Sequence, residues 1–417
     1  MTVTAPAPAP AELDEIEQLE ALIEEARRRA RRRRLRYAAS AVLAAGVGTA
    51  AVLGVVRSGG HGTAAALSPN APSAEIRLVG ARLAYVPPPG RALYVTNSDG
   101  SGARELAACP PTTACTVRDP VWSPDGRRVA FLRGRPASAN RDGDLALYVI
   151  GVHGRGERRL ANCAHGGCET INGSRPSWSP HGSEIAFSRD GTISIVDVDS
   201  GRLRPLTTCR LTRCHDLSPA WSPDGTAIAF TRYGALYRIG VFSSRVTFLA
   251  SDGFNPAWAP DGRTILVDTR RGIASIEADG FRSTLLAPGI PGNGPGVPTW
   301  SPDGSRILYF WTPREQRGYR AEVWTMKPDG SGKRRLHRGP CCISTWFRPV
   351  WSADGSRVAL SADHFPRRGA SRGRTFVVDA AGARLRHLSR QPLDLDWQPV
   401  GDAPGSESEG AVIGRSS

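Results

Sequence analysis

One motif, P-x-W-S-P-D-G, recurs six times in near-identical form, ending at Gly126, Gly182, Gly225, Gly262, Gly304 and Gly355. Its tryptophans are Trp122, Trp178, Trp221, Trp258, Trp300 and Trp351, and a seventh, Trp397, stands in D-L-D-W-Q-P. From Trp122 to Trp397 the spacing averages about 46 residues, the period of a propeller blade. Each motif runs into a short alternating apolar segment, such as Val129 and Phe131, Ile228 and Phe230, or Val358 and Leu360. Such alternation predicts a half-buried strand. The intervening S-P-D-G is turn chemistry: proline presets φ, aspartate bonds its own turn, and glycine accepts positive φ. A second hairpin follows, as in L-Y-V-I-G-V-H-G at 147–154, so each repeat reads as four strands.

The phase of the repeat predicts how the ring closes. R-L-A-Y-V at 82–86 has no motif before it, and D-L-D-W-Q-P at 393–399 has no strand after it. The last strand is therefore expected to become the inner strand of the first blade. That gives an all-β, seven-bladed β-propeller over residues 79–400, whose closure removes exposed sheet edges. Six motifs followed by I-A-F and L-Y-V strands resemble the TolB-type, WD-repeat-like propeller family over roughly residues 80–400. The resemblance implies a propeller that docks envelope proteins. The α/β domain that precedes the propeller in TolB has no counterpart here.

Residues 37–56 are 20 uncharged residues, long enough for one transmembrane helix. Eight arginines between Arg27 and Arg36 precede them and Arg57 follows. The positive-inside rule then puts the N-terminus in the cytoplasm and the propeller outside. A cleaved signal peptide is the alternative. Residues 1–36 read as a cytoplasmic juxtamembrane helix, 57–78 as a flexible linker rich in Gly, Ala, Ser and Pro, and 401–417 as a disordered tail. Beside an apolar span the arginine run is a topology signal, so no nucleic-acid partner is expected.

The eight cysteines fall in four clusters: Cys109 and Cys115, Cys163 and Cys168, Cys209 and Cys214, Cys341 and Cys342. Each lies between the outermost strand of one repeat and the first of the next. Local disulfides fit this periodicity and an oxidising compartment. A zinc site is the competing reading of C-A-H-G-G-C at 163–168 and C-R-L-T-R-C-H at 209–215, whose spacing matches no known finger. Cys341 and Cys342 are left as a vicinal bridge or free thiols.

Catalytic signatures such as G-x-S-x-G, H-E-x-x-H and the phosphate-binding loop do not occur. The motif aspartates, Asp125 and Asp224 among them, are explained by turn geometry. No catalytic residue, metal or cofactor is assigned. Three residues before each tryptophan, Asp119, Arg175, Ser218, Asn255, Val297, Arg348 and Asp394 are expected to approach the channel as a mixed polar set.

Loop length singles out 132–146, 310–322 and 361–374, in blades 2, 6 and 7. They carry Arg133, Arg135, Arg141, Arg314, Arg317, Arg320, Arg367, Arg368, Arg372 and Arg374, with Trp311, Tyr319 and Phe365 among them. Arginine and aromatics together have the composition of an interface. The net charge is +15, and residues 1–36 contribute almost none of it, because seven acidic residues offset their arginines. A basic propeller attracts anionic partners. The expected role is a membrane-anchored, extracytoplasmic, non-catalytic scaffold for an envelope protein or anionic cell-wall polymer, of open oligomeric state. The rivals are a lyase or hydrolase acting on acidic polysaccharide, and a sensor signalling through residues 11–36.

Overall fold

A computed structural model describes residues 82–135, 145–162, 175–208, 215–289, 295–312, 314–315, 318–341, 343–364, 374–382, 384–389 and 393–399. The helix expected over 1–36, the span 37–56, the linker 57–78 and the tail 401–417 lie outside them. Among the described residues no helix is long and apolar enough to cross a membrane.

Seven antiparallel sheets follow one another along the chain. Blade 2 shows the plan: Thr116–Trp122, Arg128–Gly134, Ala146–Gly151 and Arg158–Asn162, from inside to outside. The inner strands of blades 3 to 7 are Ser177–Trp178, Asp216–Trp221, Phe254–Trp258, Pro295–Trp300 and Ile343–Trp351. Blade 1 takes its inner strand, Asp394–Trp397, from the other end of the chain. That strand pairs with Arg82–Val86 in the register Leu83 to Trp397 and Val86 to Asp394. The inner strands touch their neighbours in cyclic order, blade 7 meeting blade 1. The predicted closure and blade number are those observed.

The core is divided among the blade interfaces. Val129 and Phe131 pack against blade 1 with Leu93, Val95 and Val117. Their neighbours Ala130 and Leu132 pack against blade 3 with Trp178, Ile185 and Phe187. The strand read as half-buried is thus buried on both faces, because both sides of an inner sheet face another sheet. Five further apolar layers repeat the arrangement, the last joining Leu83 and Trp397 to Ala359 and Val377 of blade 7.

Two devices hold the blades in register. Four of the six motif turns are closed by their own serine and aspartate, His181 replacing the aspartate in blade 3 and Ala259 the serine in blade 5. In blade 2, Ser123 Oγ donates to Asp125 Oδ1 at 2.5 Å, and the Arg128 N–H to Ser123 Oγ at 2.9 Å. The glycine of each turn then meets the motif proline of the preceding blade; a Cβ on Gly225, at φ +70°, would lie 3.7 Å from Pro180 Cδ. At the closing junction D-L-D-W-Q-P supplies a glutamine, and Gln398 Nε2 donates to the Gly126 carbonyl at 2.9 Å. The second device is the tryptophan indole, which reaches back one blade. Trp122 donates to the Asp396 carbonyl, Trp178 to Val121, Trp258 to Ala220 and Trp300 to Ala257, at 2.9 to 3.3 Å.

Blades 6 and 7 depart from the others. Gly318–Met326 and Ile343–Trp351 are nine residues long, where the corresponding strands of blades 4 and 5 have five or six. Part of the segment expected as loop 310–322 is strand: Arg314–Glu315 pairs with Gly318 and Tyr319. Cys341 ends one strand and Ile343 begins the next, so almost no loop separates these blades. The β-branched and aromatic residues of I-S-T-W-F at 343–347 favour strand here.

Because Asp394–Trp397 completes a sheet and Trp397 is buried in the last core layer, Trp397→Ala is expected to destabilise the propeller by about 3–5 kcal/mol. Urea unfolding followed by circular dichroism measures this; a loss below ~1 kcal/mol would show the closing strand to be dispensable.

Candidate functional site

The inner strands carry a repeated bulge two to three residues before the tryptophan, seen between Arg118 and Val121, Leu217 and Ala220, Phe254 and Ala257, Gly296 and Thr299, and Phe347 and Val350. At its centre Asp119, Ser218, Asn255 and Val297 adopt left-handed backbone, with φ of 50 to 54°. A bulge of this kind bends the strand and re-aims a side chain. It turns the backbone at the mouth of the channel, whose cavity of about 490 Å³ is lined by Arg175, Ser218 and Asn255 together with the motif tryptophans and prolines.

Arg175, Asp119 and Asp394 form one cluster across blades 3, 2 and 1. Arg175 Nη2 pairs with Asp394 Oδ1, and Arg175 Nη1 donates to the Leu395 carbonyl at 3.1 Å. The Asp119 N–H donates to Asp394 Oδ2 at 2.6 Å, and Arg175 Nε lies 3.7 Å from Asp119 Oδ1. Arg118 stands on the far side, 3.9 Å from Asp119 Oδ2. Burial, and then the Asp394 carboxylate, push the Asp119 carboxyl up from 3.8 to about 7, against the opposing pull of Arg175 and Arg118. The cluster can exchange a proton near neutral pH, and it ties the C-terminal strand to blades 2 and 3. Sequence reading placed these three residues at the channel but found no shared chemistry in them, since they are 56 to 275 residues apart. Of the remaining channel positions, Asn255 is held by Asp268 at 2.8 Å, and the Arg348 side chain lies outside the described residues.

The motif aspartates are confined to their turns. The Ser301 hydroxyl, then that of Ser305, hold Asp303 down at about 2. Asp224 is lowered by Ser222 and the Thr226 N–H in the same way.

Antiparallel connection sends the second-to-third-strand loops and the interblade loops to one face, opposite the motif turns. Cys109 and Cys115 are joined there by a disulfide, with Cα atoms 5.7 Å apart. Arg91 braces the bridged loop by donating to the Thr113 and Pro110 carbonyls, both at 2.7 Å. Cys163, Cys168, Cys209, Cys214 and Cys342 lie outside the described residues, as does the Cys341 side chain. Among the described residues no group of three or more His, Cys, Asp or Glu is arranged to hold a metal.

Of the interface arginines, Arg133 is engaged within the fold. It pairs with both Glu157 oxygens, at 2.5 and 3.1 Å, donates to the Ala108 carbonyl, and lies 4.2 Å over the Tyr148 ring. Arg135 and Arg374 are exposed, and Trp311 is half-buried against the core layer of blades 5 and 6. The side chains of Arg314, Arg317, Tyr319, Arg320, Phe365, Arg367, Arg368 and Arg372, and all of Arg141, lie outside the described residues. Sequence reading missed the occupation of Arg133, because Glu157 belongs to the outer edge of the same blade and carries no periodic signal.

Two outcomes are expected from this chemistry. Asp119 has a folded-state value above its unfolded one, so folding takes up a proton; the associated stability is full below about pH 4 and declines as pH rises through 7. Asp119→Asn keeps the site neutral, so its Tm should exceed the parent's at about pH 8 and converge toward it by about pH 5. Parallel Tm curves in scanning calorimetry would contradict this. For the disulfide, Cys109→Ser with Cys115→Ser should cost roughly 2 kcal/mol in urea unfolding, as for other short closed loops. Non-reducing peptide mapping of the parent should recover the two cysteines as one linked species.

The TolB beta propeller domain model matches residues 164–353. An uncharacterized peptidase, YuxL of Bacillus subtilis (strain 168), is 36% identical over 83 residues, covering 20% of this chain and 10% of that protein. The Tol-Pal system protein TolB of Rickettsia rickettsii (strain Iowa) is 30% identical over 97 residues, 20% of each chain. The chain thus matches a fifth or less of the length of these relatives. Among solved structures, an oligogalacturonate lyase from Vibrio parahaemolyticus superposes with a TM-score of 0.53 at 13% identity, over 74% of this chain and 84% of that one. An oligogalacturonate lyase in complex with manganese gives 0.51 at 15% identity, over 74% and 83%. These two likenesses are of fold. With its repeated motif, its seven closed blades and this match over residues 164–353, the ring is similar to the TolB-type β-propellers.

Proposed function

We propose that this propeller is a non-catalytic binding scaffold, tethered through residues 37–56 with its N-terminus in the cytoplasm and its ring outside. Its loop face engages an anionic envelope protein or cell-wall polymer. The observation that carries this reading is the projection of blades 6 and 7. They are neighbours, and their strands run past those of the other blades on the loop face, where Arg320 is in register with Cys341 and Ile343 with His364. The extension raises one rim from two adjoining blades. Arg314, Arg317, Arg320, Arg367, Arg368, Arg372 and Arg374 belong to it by sequence position, with Tyr319 and Phe365. Guanidinium groups pair bidentately with carboxylate or phosphate, and aromatics add stacking area. The disulfide-braced loop 109–115 opens on the same face and gives it rigidity.

Immobilised poly-L-glutamate and polygalacturonate test the reading. The parent is expected to bind at low ionic strength and to release as salt screens its exposed charges. A variant with Arg314, Arg317, Arg367 and Arg368 replaced by serine should bind at least about tenfold more weakly, ~1.4 kcal/mol, at an unchanged Tm. Equal binding by the two proteins would reduce the basic rim to a solubility feature. Release of unsaturated product from polygalacturonate would instead favour the lyase reading.

A further inference from the structure

Exposed large hydrophobic side chains gather on two neighbouring blades. Seven occur among the described residues, and five of them, Phe242, Val246, Phe248, Phe281 and Leu285, stand on one turn and the outer strand of blades 4 and 5. Phe242, 87% exposed, is at the tip of the turn between Ala235–Gly240 and Val246–Ala250. Val246 and Phe248 follow on one side of the outer strand, as the period of two requires. Phe281 holds the equivalent turn in blade 5. Gly280 beside it presses on the preceding blade; a Cβ there would come 3.0 Å from Leu249 Cδ2 and 3.5 Å from the Phe248 carbonyl. The turn of blade 5 therefore adjoins the outer strand of blade 4, and the exposed apolar side chains of the two blades make up one patch of the surface. The corresponding turns of other blades read N-S-D-G-S at 97–101, V-D-S-G at 198–201 and K-P-D-G-S at 327–331.

The patch lies on the motif-turn face. The Val241 N–H donates to the Thr226 carbonyl and the Ala278 N–H to the Arg263 carbonyl, each at 2.9 Å, so each aromatic turn lies against a motif turn. Both described ends of the chain reach this face as well. The Gln398 N–H donates to the Arg82 carbonyl at 2.8 Å, and Gln398 bonds the motif turn of blade 2. The apolar segment 37–56 is separated from Arg82 by the 25 residues 57–81. Such a chain spans at most about 85 Å extended and roughly 28 Å as a flexible coil. The tether thus leads from the face that carries the aromatic tips. Exposed Arg245 and Arg282 flank those tips, Arg282 lying 3.9 Å from Glu277. Aromatic rings beside arginines suit the headgroup level of a bilayer, where the rings take the interface and the guanidinium groups meet phosphate.

We propose that the motif-turn face of blades 4 and 5 docks on the anionic bilayer surface, with Phe242 and Phe281 entering the interface. The proposal rests on the reading of 37–56 as a membrane span. The test is hydrogen exchange of the full chain in nanodiscs of phosphatidylcholine with phosphatidylglycerol, compared with detergent micelles. Amides in 240–246 and 278–285 should exchange about tenfold more slowly in the nanodiscs, ~1.4 kcal/mol of local protection. Phe242→Ser with Phe281→Ser should abolish the difference at an unchanged Tm. Equal exchange in discs and micelles overturns the proposal. Resistance to carbonate extraction reads the span separately. If the chain is extracted, cosedimentation with vesicles of the same lipids decides docking, and absence of binding overturns it. A concentration-dependent dimer in detergent that the double variant loses would assign the patch to a second copy and overturn it too.

Discussion

The contact on which the ring depends is the hydrogen bond from a motif tryptophan to the blade behind it. A large aromatic in a dry interblade layer favours a partner for its N–H, and in the four blades that make this bond the acceptor is the carbonyl one residue before the preceding tryptophan, as in Trp178 to Val121 and Trp258 to Ala220. The same residue type thus fills the wedge between two sheets and sets their relative height. The donor of one blade and the acceptor of the next lie at fixed positions of a repeat, and four of the seven junctions use them. The Trp122 bond to Asp396 ties blade 2 to the C-terminal strand by the same rule, whereas the indole N–H groups of Trp221, Trp351 and Trp397 are buried without a partner among the described residues.

The described part of the fold was legible from the motif because its determinants are local. Ser123, Asp125 and Gly126 close a turn within six residues, and the apolar strand after it announces its own burial. Closure was legible too, since an unpaired strand at 82–86 and an orphaned tryptophan at 397 require each other. Strand length in blades 6 and 7 was not, because Arg314 and Glu315 read as loop while pairing with Tyr319 and Gly318 fixes them as strand. Val297 shows a different limit. A β-branched residue is a poor occupant of left-handed backbone, and the pairing on both sides of the bulge holds it there together with the bond from its N–H to Asp268 Oδ1 at 2.7 Å.

The candidate site was legible as positions and illegible as chemistry. Asp119, Arg175 and Asp394 occupy the same place in three repeats, and period alone says that they face the channel. That Asp394 accepts from the Asp119 N–H and pairs with Arg175 follows from ring closure, which brings residue 394 beside residue 119. The opposite error concerned Arg133, a base on a long loop that reads as available for a partner. Glu157 and the Tyr148 ring already satisfy it, as Asp216 satisfies Arg232, the corresponding residue of blade 4, at 2.6 and 2.7 Å. Excess charge at a repeated position was therefore partly a structural clasp.

The way in which Arg82–Val86 is held has a mechanical consequence. This strand is flanked by Asp394–Trp397 on one side and Ala92–Asn97 on the other. A pull on the chain ahead of Arg82, resisted at the opposite face, loads both ladders lengthwise. All their hydrogen bonds then carry the force together, whereas a pull across the sheet would break them one at a time. A strand borrowed to close a circle is thereby also a grip on the start of the ring, and it is tightest along the strand axis.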